Sequence, residues 1–159
     1  MPNLARIQHR RVQRLHDVKN GAIHEFLVFV VNDELYGVEL VKIKEILTPP
    51  PITLVPRAPR EVIGVCSVRG LLITVVDLRL RLGGREAPVG RRARILLTEV
   101  AGEVMGLMVD EVKQVMRLTE SEIEPANTAF GADVADHVVG VCRPGGAIVI
   151  LLDLAAAVS

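Results

Sequence analysis

Two aspartates, Asp77 and Asp153, hold the same place in two related stretches of this 159-residue chain, VIGVCSVRGLLITVVDL (62–78) and VVGVCRPGGAIVILLDL (138–154). Seven of the seventeen aligned positions are identical, the two aspartates and Cys66/Cys142 among them. Carboxylates supplied by two halves of a repeat are how an aspartic-protease dyad is built. That chemistry needs Thr/Ser-Gly behind each aspartate, and here Leu78-Arg79 and Leu154-Ala155 follow. The expected role is structural: each aspartate ends a buried strand and caps the helical turn after it.

Nucleophilic and metal chemistry find even less material. Of the four histidines only His137 lies outside residues 1–24, and although it is five residues from Cys142, no third group is evident to orient it. Cys66 and Cys142 read as small buried hydrophobes on equivalent strands rather than as a disulfide or a reactive thiol. No CxxC or Cys/His spacing suggests a metal, and there is no Walker loop, GxGxxG or HExxH. Neither a catalytic site, a cofactor nor a metal is expected.

The informative residues are those in which the two copies differ. Ser67-Val68-Arg69 becomes Arg143-Pro144-Gly145, and Glu45 becomes Gln114, so an acid and a base occur together only in the first copy. A hairpin mouth at Gly70 would bring Arg69 near Glu45. At a partly buried groove such a pair orients a loop more than it adds stability. Elsewhere, TPPPITLVPRAP (48–59) carries five prolines, which stiffen an extended loop and bar it from a central strand. It presents Ile52, Leu54 and Val55, either as a rigid apolar contact for a partner or as a plain connection.

These side chains need a scaffold, and the repeat supplies it. FLVFVVNDELYGVELVKIKEIL (26–47) matches ILLTEVAGEVMGLMVDEVKQVM (95–116) at an offset of 69, with Gly37 on Gly106. The aspartate-bearing stretches match at an offset of 76. Two lobes, about 25–84 and 93–154, follow. Phe26 to Val31, a polar Asn32-Asp33-Glu34 turn and Leu35 to Leu40 form a hairpin pattern, repeated around Ala101-Gly102-Glu103. Leu71 to Leu78 is aliphatic and short, as for a strand buried on both faces. With no long crossover helices, parallel pairing is disfavoured.

The expected fold is therefore all-β with minor short helices: two pseudo-repeated five-stranded SH3-like barrels packed on each other. A turn or two of helix is expected within RAPREVIGV, another over Ala132 to His137, and a short C-terminal helix from Leu154 to Val158. Residues 1–24 hold Arg6, Arg10, Arg11, Arg14 and Lys19 against Asp17 alone. They read as a basic amphipathic arm or as a frayed end.

Bulk composition narrows the partners. Half of the residues are hydrophobic, enough for a sizeable core, yet no apolar run is long enough to cross a bilayer. Formal net charge is zero and the chain beyond the arm is slightly acidic, which argues against nucleic acid. With only three Phe, one Tyr and no Trp, base stacking has almost no material. A soluble, intracellular protein is expected, without membrane insertion and monomeric when free.

Taken in order, GVELVKIKEIL, ITLVPRAPREVIGVCSVRGLLITVVDLR, GLMVDEVKQVMRLTESEIEP and VVGVCRPGGAIVILLDL resemble the CheW family, the scaffold adaptors of bacterial chemosensory arrays. The resemblance covers about residues 25–155. It implies two five-stranded barrels with a hydrophobic seam between them, and no catalytic activity. It also implies two partners: the cytoplasmic tip of a chemoreceptor and the regulatory domain of a CheA-type histidine kinase, met at receptor arrays on the inner face of the membrane. The same domain closes the kinase itself, and the short free-standing chain favours the adaptor. By resemblance, the receptor-facing groove comprises Val41, Ile43, Glu45, Gly64, Ser67, Val68 and Arg69. The kinase is held chiefly by the first lobe, with Ile52, Leu54 and Val55 as one candidate contact, and the second lobe can meet neighbouring kinase domains in rings. Where the family usually has Asn-Leu-Arg-Gly, this chain has Ser67-Val68-Arg69-Gly70. The alternative is a kinase-binding regulatory module without receptor contact, in a parallel motility or developmental pathway.

Overall fold

The computed structural model describes residues 23–131 and 135–158. The expected basic arm therefore lies outside the described residues, apart from Ile23 and His24. The same holds for the first half of the turn expected over Ala132 to His137.

Local turn chemistry sets the two central hairpins. Strands β1 (His24–Val31) and β2 (Glu34–Glu39) pair antiparallel, closing at Val31↔Glu34. Asn32 and Asp33 between them have φ of 53° and 65°. Two successive left-handed residues make the tight turn whose twist matches that of the strands it joins. Strands β6 (Arg94–Val100) and β7 (Glu103–Val109) repeat this across Ala101 and Gly102, with φ of 52° and 83°.

The remaining strands are β3 (Ile43–Leu47), β4 (Val62–Val68), β5 (Leu71–Asp77), β8 (Glu111–Leu118), β9 (Glu124–Pro125), β10 (Val138–Cys142) and β11 (Val149–Leu152). One sheet runs in the order β8-β1-β2-β11-β10-β9 and the other β3-β6-β7-β5-β4. Each position of the first order corresponds by repeat to the same position of the second. The short β9, paired to β10, has its counterpart in the bridge Thr53↔Val65 on β4.

The lobes expected over 25–84 and 93–154 are not the units of the fold, because the halves exchange hairpins. Hairpin β1–β2, from the first half, sits between β8 and β11 of the second. Hairpin β6–β7 sits between β3 and β5 of the first. Parallel pairing, expected to be disfavoured, occurs once in each sheet: β11 with β2 and β5 with β7. No crossover helix is needed there, since the partner strand arrives within the exchanged hairpin. Around this frame, fold class is as expected: two small β-barrels and, among the described residues, three short α-helices, α1 (Leu78–Arg81), α2 (Ala126–Phe130) and α3 (Leu154–Val158).

Strand alternation divides the apolar residues of β1 and β6–β7 between two destinations. Phe26 and Val28 join Met116, Leu118, Cys142, Val149 and Leu151 inside the six-stranded barrel. Ile95, Leu97 and Met108 join Cys66, Ile73 and Val75 inside the five-stranded one. Leu27, Phe29, Val31, Tyr36 and Val38 turn the other way and meet Leu78, Leu96, Leu107 and Val109 in a seam between the barrels. Phe29 stacks on Tyr36 there, ring centroids 6.2 Å apart. Burying one such side chain stabilises by about 1.5–3 kcal/mol.

Two further local expectations change. Within RAPREVIGV there is no helix, since Val62 already pairs with Val76. Strand β5 is buried on both faces only from Val75 onward; Leu71, Leu72 and Thr74 are exposed. The C-terminal helix forms as expected. Because the seam belongs to both barrels, Leu107→Ala is expected to lower stability by about 2–5 kcal/mol. Urea unfolding followed by hydrogen exchange in β1 and in β6 should show one shared transition shifting as a unit; separate midpoints for the two sheets would contradict the exchange.

Candidate functional site

The two long hairpins that end the repeats differ at their turns. Between β4 and β5, Val68 pairs with Leu71, and Arg69 and Gly70 take φ of 48° and 81°. The equivalent turn after β10 has Gly145 and Gly146 at 62° and 89°. Backbone shape is thus shared, but the second copy fills both left-handed positions with glycine, which is free to adopt them. Arginine in that conformation costs roughly 1–2 kcal/mol. Its side chain is what the first copy gains.

Arg69 forks onto Glu45: Nη1 donates to Oε2 at 3.1 Å and Nη2 donates to Oε1. Glu45 stands on β3 and Arg69 at the tip of β4–β5, opposite edges of the five-stranded sheet. The pair therefore ties together the two rims of the barrel mouth. Exposure is 68% for the guanidinium side chain and 34% for the carboxylate side chain. The hydrogen bonds from Arg69 hold the Glu45 carboxyl below the usual glutamate value, against some desolvation, and raise the guanidinium further.

Apolar side chains flank the fork. Val41, in the 3-10 turn Leu40–Lys42 before β3, is 83% exposed, and Ile46 is also exposed. Leu72 faces outward beside Ser67, its partner across the hairpin, and is 74% exposed; Leu71, next to the turn, is exposed too. Of the residues expected in a groove, Glu45 and Arg69 meet in the fork, and Val41 and Ser67 are exposed. Ile43 packs against the seam and Val68 against the barrel core. Gly64 is buried and admits the proline-rich segment: a Cβ there would stand 2.2 Å from the Thr53 carbonyl oxygen. That closeness lets Thr53 and Val65 exchange backbone hydrogen bonds of 2.8 and 2.9 Å.

The proline-rich segment is stitched to β4 by those bonds. Ile52 turns inward onto the barrel core, while Leu54 and Val55 remain exposed. Leu71 and Leu72 were not expected on this surface. The sequence carries the signal, in that Leu72 and Thr74 lie two apart on one strand face and polar Thr74 marks it as outward.

In the six-stranded barrel the same mouth lacks the fork. Gln114 and Gly145 replace the pair, and a cleft of about 410 Å³ lies between Val28, Leu35, Met116, Pro144 and Val149. The aspartates are occupied as caps: Asp77 accepts from Arg79 N at 3.0 Å and Asp153 from Ala156 N at 3.2 Å. Both cysteines are free and buried in different cores, and burial pushes the Cys142 thiol up to about 11, far from a reactive thiolate. Among the described residues no three His, Cys, Asp or Glu side chains are grouped to hold a metal, and no helix is long and apolar enough to cross a membrane.

A carboxyl with a depressed pKa contributes its closure above the usual glutamate range and loses it as pH falls through the lowered value. The fork is thus expected to be intact at neutral pH and to open only in acid. Carboxyl-carbon NMR should show Glu45 titrating below an ordinary glutamate, and Arg69→Gly should return it to the usual value. An ordinary Glu45 titration in the unsubstituted chain would contradict the fork.

Comparison with known proteins places this geometry in a family. The family model described as CheW-like domain matches residues 25–159. A chemotaxis protein CheW of Rhizobium meliloti is 30% identical over 135 residues, covering 85% of this chain and 86% of the relative. Protein FrzA of Myxococcus xanthus is 32% identical over 123 residues, 77% and 76% of the two chains. The crystal structure of the scaffolding protein TtCheW from Thermoanaerobacter tengcongensis superposes with a TM-score of 0.77 at 29% identity, covering 86% of this chain and 92% of that one.

Proposed function

The chain belongs to the CheW-like domain family, and we propose that it is a non-catalytic adaptor coupling the cytoplasmic tip of chemoreceptors to the regulatory domain of a CheA-type histidine kinase. Chemotaxis proteins CheW recur among its relatives. The observation that carries the finer reading is the Arg69–Glu45 fork, present in one barrel and absent from its twin. An arginine kept in a left-handed turn where glycine would suit better is explained by a contact that its side chain makes. Planar, multidentate guanidinium beside exposed aliphatic groups is the composition of an interface centre.

On this reading Val41, Glu45, Ser67 and Arg69 form the receptor-facing surface, and Ile43, Gly64 and Val68 hold its frame. Leu54 and Val55, anchored through Ile52, are the contact offered to the kinase, while Leu71 and Leu72, on the hairpin that carries Arg69, extend the receptor-facing surface. The adaptor would be monomeric when free, cytoplasmic, and brought to arrays at the inner face of the membrane through its partners, with no nucleic acid involved.

A second reading is favoured by one observation. Ser67-Val68 stands where the family usually has Asn-Leu, in the strand that leads into Arg69. That reading is a kinase-binding module without receptor contact, serving a motility or developmental pathway.

The test is binding to purified receptor-tip and kinase regulatory-domain fragments, with Arg69→Gly in parallel. Glycine reproduces the twin turn, so thermal stability should hold or rise while receptor affinity falls about tenfold or more. Kinase binding should persist. Unchanged receptor affinity in Arg69→Gly would remove the groove assignment, and kinase binding without any receptor binding in the unsubstituted chain would favour the second reading.

A further inference from the structure

The seam between the barrels is apolar and non-directional along most of its length, but one end is different. Arg79, in α1, is buried and clamps Asp77 with Nε at 3.0 Å from Oδ1 and Nη2 at 2.9 Å from Oδ2. The same guanidinium donates to the carbonyl oxygens of Ala87 and Pro88 at 2.9 and 3.2 Å, and its Nε lies 3.8 Å from Asp110. These groups belong to the five-stranded barrel and to the crossover between β7 and β8. The other barrel reaches in with Asn32, at the tip of β1–β2. Its Nδ2 donates to the Arg79 carbonyl oxygen at 3.1 Å and its backbone N–H donates to Asp110 at 2.9 Å. Gly84 makes room, since a Cβ there would meet the Asn32 side chain at 2.3 Å. The result is a charged network joining both barrels, buried at Asp77 and Arg79 and half-buried at Asn32 and Asp110, in which loss of one partner would strand the others.

The repeat supplies an internal control. Under its offsets Asn32, Asp77, Arg79 and Asp110 correspond to Ala101, Asp153, Ala155 and Val41. Three of the four polar side chains are replaced by aliphatic ones, and the residue in place of Asp110 is the exposed Val41. A third contact fixes the geometry: Arg81 Nε in α1 donates to the Ala157 carbonyl oxygen in α3 at 2.8 Å. Residues 81 and 157 are themselves equivalent, so this bond lies at the pseudo-twofold axis, and the network lies to one side of it.

We infer that the barrels are hinged on this one-sided clasp of Asn32, Asp77, Arg79 and Asp110, and that the looser side is the opposite one, where the equivalent crossover, Leu40–Lys42, carries Val41 in place of Asp110. A partner seated on the Val41 surface would then alter the angle between barrels, coupling its occupancy to the second barrel. This consequence rests on the proposed groove; the hinge itself does not.

The test uses the free chain with pairs of nitroxide labels and measures interbarrel distance distributions. Glu34/Leu80 spans the clasped side and Glu103/Ala156, its repeat equivalent, spans the other. A narrow distribution for the first pair and one at least twice as broad for the second is expected. Asn32→Gly with Asp110→Asn should broaden the first to match; glycine suits the left-handed position of Asn32, at φ 53°. A control pair, Glu25/Ala156, stays within the six-stranded side and should be narrow. Equal widths for the first two pairs, a first pair unmoved by the clasp variant, or a control as broad as Glu103/Ala156 would each overturn the hinge. No partner is present, so failure of receptor binding leaves this result standing.

Discussion

Neither half of this chain can complete a sheet by itself. Hairpin β1–β2 must find β8 and β11, and hairpin β6–β7 must find β3 and β5, before any strand edge is satisfied. The exchange puts the two hairpins back to back, and their outer faces, with Phe29, Val31, Leu96, Leu107 and Val109, become the seam. Backbone pairing, both barrel cores and the seam are thus one cooperative problem. It also explains why the parallel pairs require no covering helix, since each is completed by the other half.

On so symmetric a frame, differences between equivalent places carry meaning. Two stand out, one at a barrel mouth and one at the seam. At the mouth of the five-stranded barrel, an arginine occupies a turn position that glycine fills in the twin, and its guanidinium braces the rim through Glu45. At the seam, a partly buried network of Asn32, Asp77, Arg79 and Asp110 has mostly aliphatic residues opposite. On the proposed reading, one asymmetry makes a surface and the other governs how the barrels behind that surface are held. An adaptor needs both, because it must grip a partner and pass on the fact.

Local features could be read directly from the residues. The turns at Asn32-Asp33 and Ala101-Gly102, the caps at Asp77 and Asp153, the C-terminal helix and the burial of both cysteines follow from short-range chemistry. The meeting of Glu45 with Arg69 followed from comparing the copies. Hairpin exchange could not be read, because both hairpins carry the same alternation and either sheet would accept either one. Gly64 is expected in a groove by resemblance alone; what its missing Cβ admits, the carbonyl of Thr53 eleven residues earlier in a loop, is not visible in the sequence. The aliphatic run predicts Leu71 and Leu72 buried, since such a run does not disclose where its sheet ends. Ile52 likewise turns inward on a segment expected to present it.

The central claim is that binding belongs to the mouth carrying the fork and not to its twin. Amide shift mapping of the labelled chain during titration with a chemoreceptor cytoplasmic-tip fragment tests it most directly. The account predicts the largest changes at residues 41–47 and 67–72, with the equivalent residues 110–116 and 143–148 almost unmoved. Comparable changes at both mouths, or changes confined to the second, would contradict it.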